Sequence, residues 1–202
     1  MSAVLVPTLP AAAPASADPR PWKWTREQYH RLGEQGYFAG KRVELIRGEV
    51  VEMSPVNWRH TLGKSLTADV LRAVFSGTAW INDQSPLPTD DSEPQPDVSV
   101  IPGSPRNYTD HPTPADALLV VEVSDSTLFY DTTAKAELYA EAGVADYWVL
   151  DVANRQLLVF RDPAPVPAGG TAYRTHQTLS ETDRVSPLAA PTVTIAVKDL
   201  LP

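Results

Sequence analysis

Hydrophobic and polar positions repeat with two different periods along this chain, and the changes of period mark out its elements. From Arg59 to Phe75, Leu62, Leu66, Val70, Leu71 and Val74 recur at the three- and four-residue spacing of one helical face, and Gly77 supplies a stop. A shorter helix is predicted in TREQYHRLGEQG, where Thr25 and Gln28 have capping-box spacing and Tyr29 and Leu32 form one apolar face. The period falls to two in RVELIRGEVVEMS: Val43 and Leu45, then Val50 and Met53, alternate about Arg47-Gly48 in the pattern of a β-hairpin. Glu44 and Glu52 are therefore strand residues.

Further on, TAWIND reads as a strand, and SPLPTDDSEPQP is a loop by its Pro, Asp and Ser content. DVSVI resumes as a strand with Asp97 at its beginning, and a second loop, PGSPRNYTDHPTPAD, follows. ALLVVEVS is the most continuous apolar run and predicts a central strand, interrupted only by Glu122. Ser126 or Thr127 can cap the next helix, where Ala134, Leu138 and Ala142 mark a buried stripe and Gly143 fits the stop. ADYWVLD and QLLVF predict paired strands across VANR, residues 161–170 a Pro-Gly-rich loop, AYRTHQTL a strand, and PTVTIAV a last alternating strand. This order predicts an α/β (α+β) domain with a mixed sheet, and its few glycines form no phosphate-binding signature.

Length and composition narrow the class. At 202 residues the chain suits one core, burying roughly 70% of the surface its unfolded form would expose. Residues 1–20, rich in Ala and Pro, read as a disordered tail, which leaves 21–202 as a single domain. No apolar stretch of about 18 residues can cross a bilayer. The absence of cysteine excludes disulfides, thiolate catalysis and zinc-finger or cysteine-ligated iron–sulfur sites, and agrees with a reducing, cytoplasmic location. With 17 Lys and Arg against 25 Asp and Glu, the net charge of −8 gives no long-range attraction to nucleic acid. A nuclease that works through bound cations can still be acidic, because its metal ligands are carboxylates.

The residues that could carry chemistry are Asp97 in QPDVSV, Glu122 in VVEVS and Lys135 in DTTAKAELY. A strand start, a strand interior and the helix that follows can bring all three to one edge of a sheet. Strand alternation turns Val121 and Val123 to the face opposite Glu122, which shares its own face with Val120 and Ser124. Burying Glu122 alone would cost several kcal/mol, so it must be protonated, paired, exposed at the strand end or bound to a cation. By pattern alone it is equally a strand-end charge paired with Arg or Lys.

Taken together, RVELIRGEVVEMSP, QPDVSV and LLVVEVSDSTLFYDTTAKAELYAEAGVADYWVLD resemble the large bacterial Uma-type family (Uma2, DUF820) of restriction-endonuclease-like proteins in the PD-(D/E)xK nuclease superfamily. The similarity runs from about Trp24 to the final strand. It implies a restriction-endonuclease-like core, a mixed sheet flanked by helices, with Asp97 and Glu122 as the motif carboxylates and the Val123 carbonyl offered to the same metal. One position departs from the superfamily pattern: the lysine two residues beyond the acidic residue is replaced by Ser124. In the Uma-type branch the lysine moves to the following helix, and the matching residue is Lys135. Glu44 matches the acidic position of the branch's hairpin, although Val43 and Arg47 stand where the branch has tyrosine and aspartate.

The activity implied is hydrolysis of a DNA phosphodiester with Mg²⁺, or Mn²⁺ in its place, held by Asp97 and Glu122, with Glu44 touching the metal or its water. Lys135 would orient the attacking water or hold a phosphate oxygen. His60 and Tyr139 are candidate substrate contacts, Tyr139 equally a core or rim residue. Asp131, four residues before Lys135, reads as its partner in an exposed intrahelical ion pair. Asp90, Asp91 and Glu93 read as a solvated acidic face, and Trp148 as a packing or dimer-surface residue. Arg59, Lys64, Arg72 and Arg106 are scattered candidates for phosphate contact. The alternative is a noncatalytic homodimeric interaction protein that retains the nuclease scaffold. A tight carboxylate pair with lysine in reach favours the enzyme; separated or salt-bridged groups favour the scaffold.

Overall fold

A computed structural model describes residues 19–167 and 169–202. The reading of residues 1–20 as a tail falls, for 1–18, outside the described residues.

Helix α1 (Arg26–Glu34) begins at the expected capping box: the Thr25 hydroxyl accepts the Gln28 amide at 3.2 Å and the Gln28 side chain accepts the Thr25 amide at 3.0 Å. The hairpin β1 (Val43–Ile46) and β2 (Glu49–Glu52) turns on Arg47 and Gly48, both at positive φ (50° and 74°), as a two-residue turn matched to strand twist requires. A Cβ on Gly48 would lie 2.9 Å from that of Lys23, so glycine also lets the N-terminal segment cross the turn. Helix α2 (Trp58–Val74) is capped by Asn57, whose side chain accepts the His60 amide at 3.0 Å.

Six strands form one mixed sheet in sequence order: β3 (Ala79–Asp83), β4 (Val98–Pro102), β5 (Leu119–Ser124), β6 (Asp146–Asp151), β7 (Gln156–Pro165) and β8 (Thr171–Ser180). All neighbours are antiparallel except β5 and β6, whose parallel pairing demands a crossover connection. Two short helices, α3 (Leu128–Thr132) and α4 (Ala134–Glu141), supply it. Alternation on β5 works as the sequence pattern requires. Leu119, Val121 and Val123 join Ala68 and Leu71 of α2 and its C-cap Phe75 in one core, whereas Val120 faces the second core with Tyr139 and Ala140 of α4. The sheet is thus covered on both faces.

Three expectations change. The predicted 161–170 loop is strand as far as Pro165. Beyond Arg161, β7 pairs only with β8, and such a one-sided strand tolerates Pro163 and Pro165. The long last strand contracts to β10 (Ile195–Ala196), paired with β9 (Arg184–Val185), because a short 3₁₀ turn at Val197–Asp199 follows at once. The helix after β5 breaks at Thr133 (φ −120°, ψ −85°).

Candidate active site

The carboxyl end of β5 and the start of β4 lie side by side because the two strands are antiparallel. This places Asp97 beside Glu122. The Asp97 amide donates to Glu122 Oε2 at 3.3 Å, and the Val123 amide donates to Asp97 Oδ2 at 2.8 Å. His60, on the first turn of α2, approaches with Nε2 3.0 Å from Asp97 Oδ2, and Gln84 Nε2 lies 3.4 Å from Asp97 Oδ1. Burial alone would raise the Asp97 carboxyl, but the His60 contact, the Val123 amide and the more distant Lys135 charge together hold it below the usual aspartate range.

Glu122 is served from the other face. Lys135 and Tyr139 are four residues apart on α4 and so project from the same side. Lys135 Nζ donates to Glu122 Oε1 at 2.8 Å and the Tyr139 hydroxyl donates to the same oxygen at 3.0 Å. Glu44 arrives on β1, whose hairpin is tied down by the Glu93 amide donating to the Leu45 carbonyl at 2.6 Å. Its Oε1 accepts Lys135 Nζ at 3.2 Å; Oε2, 3.1 Å from the same nitrogen, shares the ion pair but lacks hydrogen-bond geometry and accepts no hydrogen bond. Lys135 is 1% exposed, yet the two glutamates raise its pKa well above the ordinary lysine value against the effect of burial. The ammonium is fixed in its charged form.

Four buried carboxylates, Glu44, Asp97, Glu122 and Asp131, face this lysine and His60. Burial first, and then the charges of Asp97, Asp131 and Glu44, push the Glu122 carboxyl up to about 8 despite Lys135. Asp131 is raised by burial for the same reason. All four line one cleft of about 40 Å³, enough for a few water-sized molecules, together with Arg42, His60, Val123 and Lys135.

Tyr139 is completely buried behind Glu122 and does not line that cleft. Asp131 departs from its expected role. The break at Thr133 puts it on a different helix from Lys135, and its Oδ2 accepts the Thr127 hydroxyl at 2.6 Å; among the described residues it makes no ion pair with Lys135. Glu93 is not a solvated charge either. It is buried and accepts Arg26 Nε at 3.0 Å, with His30 Nε2 at 2.7 Å, which pins α1 to the loop before β4. Trp148 packs fully inside, its indole N–H donating to Asp146. Of the scattered cations, Arg59 donates to the Val152 carbonyl, while Lys64 and Arg72 pair with Asp83 and Asp69. Arg42, which the sequence reading passed over, lines the cleft; its place next to the hairpin strand carrying Glu44 was the available signal.

The oxygen donors suit a hard divalent cation. Among the described residues no three acidic or histidine side chains converge as a ready-made cage. Asp97 and Glu122 could hold an ion of the kind that takes one or two carboxylates and completes its shell with water and phosphate oxygens. Glu44 Oε2, ion-paired with Lys135 but accepting no hydrogen bond, could accept one from such a water.

The family model Uma2, described as a putative restriction endonuclease, matches residues 26–198. The chain belongs to the Uma2 family. Among solved structures, this Uma2 chain is similar to a crystal structure described as a putative nuclease belonging to DUF820 from Anabaena variabilis ATCC 29413. The TM-score is 0.67 and the identity 15%, over 87% of this chain and 96% of the other. At that identity the likeness establishes a shared fold. Comparison with curated proteins gives no match.

Proposed function

We propose that the protein is a divalent-metal-dependent endonuclease that hydrolyses DNA phosphodiester bonds, with Asp97 and Glu122 holding Mg²⁺ or Mn²⁺. The observation that carries this reading is the lysine: Ser124 occupies the motif position, and Lys135 reaches Glu122 at 2.8 Å from the following helix. A bound cation would supply a more acidic water and would offset charge developing on the phosphate. His60 and the Val123 amide orient Asp97, and Tyr139 and Lys135 orient Glu122, so both carboxylates are held before substrate arrives. Lys135, locked in its charged form, serves as a donor to water or a phosphate oxygen and not as a general base. The Val123 carbonyl is assigned to the same ion, Glu44 to its water, and Arg42, at the cleft, to the substrate phosphate.

One observation favours the alternative of a noncatalytic homodimeric scaffold: Lys135 is salt-bridged to both Glu44 and Glu122. Calorimetric titration with Mg²⁺ and Mn²⁺, paired with cleavage assays on supercoiled, linear and single-stranded DNA, separates the two. The nuclease reading expects binding and cleavage in the wild type and loss of both in an Asp97→Ala, Glu122→Ala double variant. Equal weak binding by the two proteins, with no cleavage by either, would reject it.

A further inference from the structure

The cleft poses an electrostatic difficulty. Eleven of the seventeen lysines and arginines are already in ion pairs with side-chain carboxylates. Of the two such cations lining the cleft, Lys135 is held by two glutamates, which leaves Arg42 to meet a phosphate backbone. Five carboxylates, the four buried ones and Asp125, line the same space, and the net charge is −8. Duplex DNA offers a protein mainly its phosphates and groove edges, and this surface has little to attract them.

The two segments that line the cleft also carry exposed aromatic residues. Trp58 is 72% exposed and lies between Asn57 and His60; Phe129 is 82% exposed and lies between Thr127 and Asp131; Val56, itself in the cleft wall, is 39% exposed. Asn57, His60, Thr127 and Asp131 all line the cleft. A hydrogen bond from the Asn57 side chain to Asp125 ties the two flanking segments together. Single exposed aromatics are ordinary on a protein surface, as Trp22 and Tyr37 also show; what sets Trp58 and Phe129 apart is that the residues beside each in the chain line the cleft. Unpaired bases can cover them: every base has an apolar face, and stacking requires no protein cation.

We infer that Trp58 and Phe129 are stacking platforms for an unpaired polynucleotide strand, and that the site acts on single-stranded rather than duplex substrate. The inference rests on the nuclease reading for the strand's purpose, but binding can be measured without cleavage.

Fluorescence anisotropy of a labelled DNA 12-mer, single-stranded and as the matching duplex, tests it on the full chain without divalent metal. The single strand is expected to bind at least tenfold more tightly than the duplex. Trp58→Ala and Phe129→Ala are each expected to weaken it by roughly 5- to 150-fold, the range of a base–aromatic stack, while Phe129→Trp retains binding. Affinity for the single strand should fall only about fourfold between about 50 and about 200 mM KCl, as one or two phosphate contacts allow. Both side chains are exposed, and unchanged circular dichroism and thermal midpoints confirm that the alanine variants fold. Equal or tighter binding of duplex, or alanine variants that bind like wild type, would overturn the inference. So would sedimentation showing that the substitutions dissociate a dimer without affecting strand binding, since the aromatic surface would then belong to a second copy. Metal-dependent cleavage alongside such results would leave the nuclease reading standing; strand binding through Trp58 and Phe129 without cleavage would do the reverse.

Discussion

At the scale of single residues, the site gathers negative charge that its own cations do not balance. Glu122 carries the consequence, because its carboxyl is pushed up to about 8 in the fold from an ordinary value of 4.5. The folded state therefore binds the Glu122 proton more tightly than the unfolded chain does. The resulting stabilisation is fully present below the unfolded pKa and is lost as pH rises from there through about 8. Asp97 works in the opposite direction: its lowered carboxyl contributes stability above the unfolded aspartate value and loses it in acid. Urea midpoints of the metal-free protein should fall between pH 6 and pH 9, and Glu122→Gln should flatten that decline; an unchanged slope in the variant would contradict it. Asp97, Glu122 and Lys135 were legible as candidates because a charge inside an apolar strand, a charge at a strand start and a lysine on the next helix stand out against their neighbours. Glu93 was not, since its burial depends on Arg26 and His30 far away in sequence, and an acidic loop by composition looks solvated.

At the scale of elements, the geometry depends on how closely α2 seats on the sheet. Gly63 lies one turn beyond His60, and a Cβ there would come within 3.1 Å of Val152 Cγ1 and 3.3 Å of Val123 Cγ1. Both neighbours belong to the core that β5 and β6 fill, so the helix, not the sheet, would have to move. Gly63→Val should cost about 1–3 kcal/mol of stability by overpacking and should lift His60 from Asp97, detectable by NMR as an upward shift of the Asp97 titration once the His60 contact that lowers it is lost. An unperturbed Asp97 titration and an unchanged denaturation midpoint would count against it. The periodic elements were legible because hydrophobic spacing alone specifies them: the capping box of α1, the long stripe of α2 and the apolar run of β5 appear where the pattern put them. The break at Thr133 was not, because the apolar stripe continues across it; it lets the segment carrying Asp131 turn away while α4 aims Lys135 and Tyr139 at Glu122.

At the scale of the whole molecule, two cores on opposite faces clamp the sheet that carries the site. One is closed by the C-terminal segment, where Val197, Leu200 and Leu201 are buried against α2 and β5. Burying three such side chains contributes about 4–9 kcal/mol, comparable with the ~5–15 kcal/mol total stability of an ordinary domain. Truncation after Ala196 should therefore leave the protein largely unfolded at 37 °C by circular dichroism, and a truncated chain of near-native thermal midpoint would refute that. Among the described residues no helix is long and apolar enough to cross a membrane. The mixed sheet flanked by helices was legible from element order and the family resemblance; the contraction of the last strand was not, because alternation cannot reveal that the chain turns into the core after two paired residues.

The central claim is that Lys135 does the work of the lysine missing at Ser124, and cleavage by the purified wild type and Lys135→Ala, side by side, tests it most directly. Supercoiled, linear and single-stranded DNA are each incubated with Mg²⁺ and with Mn²⁺, and circular dichroism verifies both folds. The account predicts metal-dependent cleavage by the wild type and a loss of roughly 100-fold or more in the variant, the scale of removing one preorganised donor from developing charge. Equal cleavage by the two folded proteins would remove Lys135 from the chemistry, and inactivity of both would move the molecule to the noncatalytic scaffold.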